Sequence, residues 1–80
     1  MYRLQYNPQV EAIHDLLPDG LSFRFAEALA RACEDPIAHT EPWGIDDGIS
    51  RTLVVDDVYA MLLIGHHEKT LTVVSAVYLS

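Results

Sequence analysis

The chain has 80 residues and a formal net charge of -7, because 5 Lys and Arg stand against 12 Asp and Glu. Its 50% hydrophobic content predicts one packed domain over residues 1–80 and excludes an intrinsically disordered protein. An acidic chain repels nucleic acid at long range, since phosphates are bound by Lys and Arg, so the composition does not favour nucleic-acid binding.

Cysteine content and apolar run lengths bear on where the protein resides. Cys33 is the only cysteine, which rules out a disulfide within the chain and predicts a reducing, cytoplasmic setting. No charged and apolar leader opens the chain, so we expect no signal peptide. The longest apolar stretch, Val58 to Ile64, is far shorter than a membrane-spanning helix. We therefore expect a soluble protein without membrane association.

The N-terminal half predicts one strand and two helices. Large and polar side chains alternate from Tyr2 to Tyr6, which is the period of a half-buried strand. Asn7-Pro8 then begins a first helix, which ends at the Pro18-Asp19-Gly20 break. A second helix with an alanine-rich apolar stripe runs from about Leu21 to Glu34, before Asp35-Pro36. The short break between the helices predicts an antiparallel helical hairpin.

The C-terminal half predicts three strands after a loop. Ile37 to Gly48 has no periodicity and contains Pro and Gly, so it is predicted to be a loop. Three runs rich in β-branched residues follow at hairpin spacing: Ile49 to Val55, Val58 to Ile64, and Thr70 to Leu79. The predicted fold class is α+β, with an N-terminal strand, a helical hairpin and a three-stranded antiparallel meander covered by the helices on one face.

The middle strand of this meander is apolar on both of its faces. An antiparallel strand with one face in solvent normally alternates apolar and polar residues, but Val58 to Ile64 does not. The second face is therefore expected to be covered, and a second copy of the chain would cover it. The sequence predicts a homo-oligomer, at least a dimer, on this ground.

Several segments, in this order and spacing, resemble the RelE/ParE toxin superfamily across nearly the whole chain. The segments are Tyr2–Pro8, Leu17-Pro18 with Glu34-Asp35-Pro36, Asp47–Leu53, Val55–Tyr59 and Thr70–Val74. The resemblance implies the same α+β fold and a role in a toxin–antitoxin pair. RelE-like members cut messenger RNA on the ribosome with Arg, Lys and a Tyr or His on the sheet. ParE-like members lack that set and are associated with DNA gyrase, and an antitoxin encoded alongside holds both kinds.

The chain departs from the nuclease pattern at several positions. Arg51 stands where the family has an arginine. The next strand of the family commonly begins with a Tyr-Arg pair, but this chain has Val58-Tyr59 there and so lacks the second cation. The last strand keeps only an aromatic residue, Tyr78. Without cations around the scissile phosphate, the charge of the transition state is not stabilised. We therefore expect a degenerate ribonuclease site, no measurable cleavage of messenger RNA, and action by protein binding.

An alternative is an active ribosome-dependent messenger RNA endoribonuclease that uses Arg51 and Tyr78. His66 is a third candidate, since an imidazole or a phenol can move a proton. Each residue also has a purely structural explanation. Arg51 could pair with Asp46, Asp47 or Asp57, His66-His67 could be a solvated turn, and Tyr78 could pack on a neighbouring strand.

The remaining singular residues suggest neither a cofactor nor a metal ion. Neither Cys33 nor His39 stands at a zinc-ligand spacing from His66-His67, so Cys33 is expected to pack as a small hydrophobe. Trp43 is either a lid on the core or an exposed anchor for a partner. The resemblance implies an antitoxin partner, and the acidic turns of this chain predict that its contacting segment is rich in Lys and Arg. These turns contain Asp46-Asp47 and Asp56-Asp57.

Overall fold

The computed structural model of the chain describes residues 1–79 and contains five strands and three helices within them. In chain order these are β1 Arg3–Tyr6, α1 Pro8–Leu16, α2 Asp19–Glu34, α3 Pro36–His39, β2 Glu41–Pro42, β3 Ser50–Val55, β4 Val58–Gly65 and β5 Thr70–Tyr78. No helix in this part of the chain has both the length and the apolar character needed to cross a bilayer.

The predicted α+β class is confirmed, and the predicted strands lie within one residue of those observed. The loop predicted over Ile37 to Gly48 differs, because α3 and β2 form inside it. Pro36 provides the first position of α3, and the Asp35 carboxylate accepts a hydrogen bond from the backbone N–H of Ala38. Helix α2 also starts earlier than predicted, at Asp19, since the Pro18 carbonyl accepts the N–H of Ser22.

The five strands form one sheet in the order β1-β5-β4-β3-β2. The pairs β3–β4 and β4–β5 are antiparallel, which is the predicted meander. β1 pairs with β5 in parallel, an arrangement that the sequence did not predict. A parallel pair needs a long crossover connection, and α1 and α2 lie in the connection that leads from β1 back to the sheet.

The helices cover one side of the sheet, with α1 on β5 and α2 on β3. The core between the layers is apolar, and its largest fully buried side chains are Val10, Phe25, Leu29, Val58, Leu62, Leu71 and Val73. Cys33 belongs to this core as a free, buried thiol, and burial raises its pKa. His14 closes the α1–α2 junction, because its ring lies edge-on to Phe25 and its Nε2 is 3.2 Å from the Ser22 carbonyl oxygen.

The opposite side of the sheet is uncovered within the described residues. Along β4, Val58, Ala60, Leu62 and Ile64 are buried, whereas Tyr59 and Leu63 are 43% and 39% exposed. The uncovered side is nevertheless apolar, and we call it the open face: Trp43, Val54, Tyr59, Met61, Leu63 and Val77. A second chain that covers this face stays a prediction.

A β-bulge decides which side chains of β5 lie on each side of the sheet. Leu62 pairs with Val73 and Met61 with Ser75, so Val74 is an extra residue on β5. The bulge reverses the alternation after it. Ala76 and Tyr78 consequently lie on the helix side, and Val77 lies on the open face.

The two sides of β4 predict opposite effects for two adjacent leucines. Leu62→Ala should lower the free energy of unfolding by about 2–5 kcal/mol, because it leaves a cavity in the core. Leu63→Ala should lower it by less than about 1 kcal/mol, since Leu63 is already partly in solvent. Urea unfolding followed by circular dichroism measures both. Equal losses for the two variants would contradict the assignment of faces.

Candidate functional site

The Arg51 guanidinium is the centre of a buried polar network on the helix side of the sheet. Arg51 is 4% exposed and is the one charged residue that is buried within residues 1–79. Its Nε donates to the Thr40 hydroxyl at 2.9 Å, and one Nη donates to the carbonyl oxygens of Thr40 and Ile37 at 2.7 and 3.2 Å. The other Nη lies 3.3 Å from the Asp46 carboxylate. Arg51 thus fastens α3 and the following loop to β3.

This geometry gives Arg51 a structural task. Among the pairings considered from the sequence, the one with Asp46 is present. Thr40 is itself held, because its hydroxyl donates to the Pro36 carbonyl at 2.5 Å. A phosphate could reach the guanidinium only if residues 36–46 moved away. The catalytic role of Arg51 stays a prediction that this burial does not favour.

Tyr78 lies at the far end of the sheet from Arg51. It is half-buried on the helix side, opposite Val58, and lines a groove with Pro18, Leu21 and Asp57. Arg51 is opposite Leu62, so the two positions are four residues apart along β4, or about 13 Å. The two candidate residues do not meet at one site.

His66 lies at the other end of β4, in the turn before β5. Its Nε2 is 2.6 Å from the Gly48 carbonyl oxygen, and its Nδ1 is 3.3 Å from the Tyr2 hydroxyl. The ring therefore joins the β4–β5 turn to the N-terminal segment and to the loop before β3. Gly48 has a φ of 72°, a conformation that glycine adopts without strain. The three predicted site residues are thus spread over the sheet.

The four aspartates of the acidic turns form two separate groups. Asp46 and Asp47 precede β3, and Asp56 and Asp57 follow it, so a six-residue strand of about 20 Å divides them. Asp47 accepts the backbone N–H groups of Ser50 and Ile49, both at 2.9 Å, which lowers its pKa. Asp56 accepts from Nε of Arg24 at 3.0 Å. Among residues 1–79 there is no cluster of three His, Cys, Asp or Glu side chains that could hold a metal ion.

The open face carries almost none of the basic residues. Arg51 is buried behind the sheet, and Arg24 and Arg31 on α2 are paired with Asp56 and Glu27. Lys69 lies in the β4–β5 turn, with its Nζ 5.1 Å from the centroid of the Tyr2 ring. Among the described residues, Arg3 on the outermost strand β1 is the one cation left for this side.

The centre of the open face is a shallow apolar cleft of about 180 Å³. Its lining comprises Trp43, Thr52, Tyr59, Ala60, Met61, Ser75 and Val77. Trp43 is 52% exposed, which matches the exposed anchor rather than the lid on the core. The backbone N–H of Trp43 donates to the Ser50 carbonyl and so holds the residue beside β3. The sequence signal for this cleft was the two-sided apolar character of β4.

Among known proteins, similarity to this chain is found at the level of three-dimensional structure and not of sequence. No protein-family model matches the sequence, and no curated protein matches it. The isolated E. coli RelE toxin superposes with a TM-score of 0.82 at 13% identity, over 100% of this chain and 86% of that one. The intact E. coli RelBE toxin–antitoxin complex gives 0.81 at 13% identity, over 100% and 99%. The RelBE2 toxin–antitoxin complex of Mycobacterium tuberculosis gives 0.80 at 11% identity, over 98% of each chain.

The chain has a RelE-like fold. The predicted resemblance to the RelE/ParE superfamily is therefore confirmed at the level of the fold. At 11–13% identity, the superposition carries no information about which chemistry the chain performs.

Removing the guanidinium should destabilise the protein. Arg51→Ala leaves the Thr40 and Ile37 carbonyls without their donor and should cost about 3 kcal/mol of unfolding free energy. Arg24→Ala, which removes an exposed ion pair, should cost less than about 1 kcal/mol. Guanidinium chloride unfolding of the two variants measures the difference. An Arg51→Ala protein as stable as the wild type would refute the structural role.

Proposed function

We propose that this chain is a toxin-type protein of a toxin–antitoxin pair, and that it acts by binding another protein through the open face. One observation carries the proposal: the uncovered side of this RelE-like sheet is apolar and aromatic, and four of the five basic residues lie elsewhere. Exposed apolar patches of this kind mark protein interaction sites.

Electrostatics argue against RNA cleavage on the open face. Cleavage builds negative charge on the phosphate, and preorganised cations in the active site are the groups that stabilise it. Arg3, on the outer strand, is the one described cation on this side of the sheet. Tyr78 and His66 could move protons, but they lie at opposite ends of β4.

The composition of the open face suits a protein partner. Tyr, Trp and Met are enriched in the buried centres of protein interfaces, and Trp43, Tyr59 and Met61 all line the cleft. Two solved structures with this fold are toxin–antitoxin complexes. We therefore propose that an antitoxin segment covers the open face and gains affinity by folding on contact.

The two acidic groups define the charge that this segment needs. They lie beyond the two ends of β3, about 20 Å apart, and the ion pairs of Asp46 with Arg51 and of Asp56 with Arg24 leave Asp47 and Asp57 as the members without one among the described residues. A partner segment that runs along β3 and extends past both of its ends would reach Asp47 and Asp57 with Lys or Arg placed about six extended residues, or about 13 helical residues, apart. The predicted basic segment thus becomes two basic ends around an apolar middle.

Location and self-association are part of the same proposal. A free buried Cys33 suits a reducing compartment, so we place the protein in the cytoplasm. We also propose that the chain self-associates, because an 80-residue domain buries only about 60% of its unfolded surface and gains stability from a second chain. The ribonuclease alternative with Arg51, Tyr78 and His66 stays a prediction.

The activity test uses purified protein and translating ribosomes. We expect no cleavage of messenger RNA above the background of ribosomes alone, because the open face lacks a group of cations. Primer extension on the recovered message detects any cut at single-nucleotide resolution. Cleavage that disappears in both Tyr78→Phe and His66→Gln would overturn the proposal and support the nuclease alternative.

The binding test uses the product of the adjacent reading frame, co-expressed with this chain. Tyr59→Lys should weaken the complex at least tenfold, because it places a charge at the centre of the cleft. Phe23→Lys is the matched control, since Phe23 is an apolar residue of α2 that is 67% exposed. Titration calorimetry measures both affinities.

Two outcomes of this test would count against the proposal. The first is an affinity unchanged by Tyr59→Lys, which would place the partner on another surface. The second concerns charge: Asp57→Lys should slow association and flatten its salt dependence. If the association rate changed neither with salt concentration nor on Asp57→Lys, the proposal that the segment has basic residues at both ends would be refuted.

A further inference from the structure

The C-terminal half of β5 is an unpaired sheet edge. β1 covers β5 only from Thr70 to Val73, and the chain then turns away into α1 at Asn7. Among the described strands, Ser75 to Tyr78 have β4 as their one neighbour. We propose that this edge pairs with the same edge of a second copy of the chain, so that the two sheets become one.

The outward-pointing backbone groups can be identified from the hydrogen bonds. The N–H of Leu79 donates to the Asp57 carbonyl, so Leu79 points its backbone groups towards β4. Backbone groups alternate in direction along an antiparallel strand, so Val77 and Ser75 also point towards β4. The N–H and C=O groups of Ala76 and Tyr78 therefore point away from the sheet, where a further strand would bind them.

The β5 edge also lacks the features that prevent strands from pairing. Val74 to Leu79 contains no charged residue and no proline. The other three free edges among the described strands are protected. β1 carries Arg3, the outer strand β2 consists of Glu41 and Pro42, and the uncovered end of β3 runs into Asp56, which has a φ of 51°. Edge-to-edge pairing is therefore expected at β5.

A two-fold axis at Val77 would pair the outward-pointing backbone groups of this edge with those of a second copy. Antiparallel pairing about Val77 sets Ala76 opposite Tyr78 of the second copy, and both of these positions point their backbone groups outward. The two Val77 side chains then face each other on the open face as a close, non-hydrogen-bonded pair. This burial would cover a residue that is 49% exposed in the single chain.

The helix side of the edge also has room for a second copy. A groove of about 320 Å³ lies between α1 and the edge, lined by Gln9, Val10, Ile13 and residues 74–76. The small Ala76 leaves space there for Tyr78 of the second copy. Leu16, one helical turn beyond Ile13 and 77% exposed, lies on the same uncharged flank of α1. The lining of this groove thus carries no charge that would repel a second acidic chain.

The first experiment measures the mass of the chain alone in solution, without any antitoxin, so its outcome bears on self-association and leaves the proposed toxin-type role untouched. Sedimentation equilibrium at micromolar concentration should give twice the 9.0 kDa mass of the chain. Val77→Lys should give the single mass, because two like charges would meet at the axis. Val54→Lys is the matched control on the open face, 52% exposed against 49%, and should stay dimeric.

The second experiment tests the register and does not rely on a destabilising change. Val77→Cys should form an intermolecular disulfide under mild oxidation, because directly opposed residues of a non-hydrogen-bonded pair have the required separation. Val54→Cys and the wild type, whose Cys33 is buried, should not crosslink. A monomeric wild type would overturn the proposal. So would dissociation by Val54→Lys, or crosslinking of Val54→Cys as readily as Val77→Cys.

Discussion

The burial of one side of the sheet under two helices is the constraint on which the rest of this structure depends. The helices of residues 1–79 cover β3, β4 and β5 on one side, and this described part of the chain supplies no third layer for the other side. The side chains of β4 are apolar in both directions. The side chains on the helix side therefore pack into the core around Leu62. Those on the open face form an apolar surface and take no part in that core.

Arg51 illustrates how little a residue type says about its role. An arginine that enters a strand suits a phosphate site, and the resemblance to a nuclease family strengthens that expectation. In the fold, the planar guanidinium instead donates to the carbonyl oxygens of Ile37 in α3 and of Thr40, and so joins them to the sheet. The same fork of donors serves either purpose. What distinguishes the two is whether the side chain points to the helix side or to the open face.

The fold and the surface of this chain give separate kinds of information, because a shared fold does not imply a shared chemistry. The backbone is RelE-like although the compared structures are only 11–13% identical, because the apolar spacing that builds the two layers tolerates wide substitution. A site for a polyanion needs particular cations at particular positions. On this chain the open face carries aromatic and aliphatic residues at its centre, with carboxylates beyond both ends of β3. This surface is the reason for proposing a partner segment with an apolar middle and basic ends.

The sequence by itself determined four of the five described strands, the two long helices and the α+β class, because each rests on local periodicity and on Pro, Gly and Asn signals within a few residues. It also indicated that β4 is apolar on both sides. Only the tertiary structure decided which strand lies beside β5, and that Arg51 faces the helices. The separation of the two acidic pairs and the free edge after Val73 were likewise decided there. These properties depend on pairing between distant segments and on one bulge at Val74, which turns over every side chain after it. Local sequence carries no record of either.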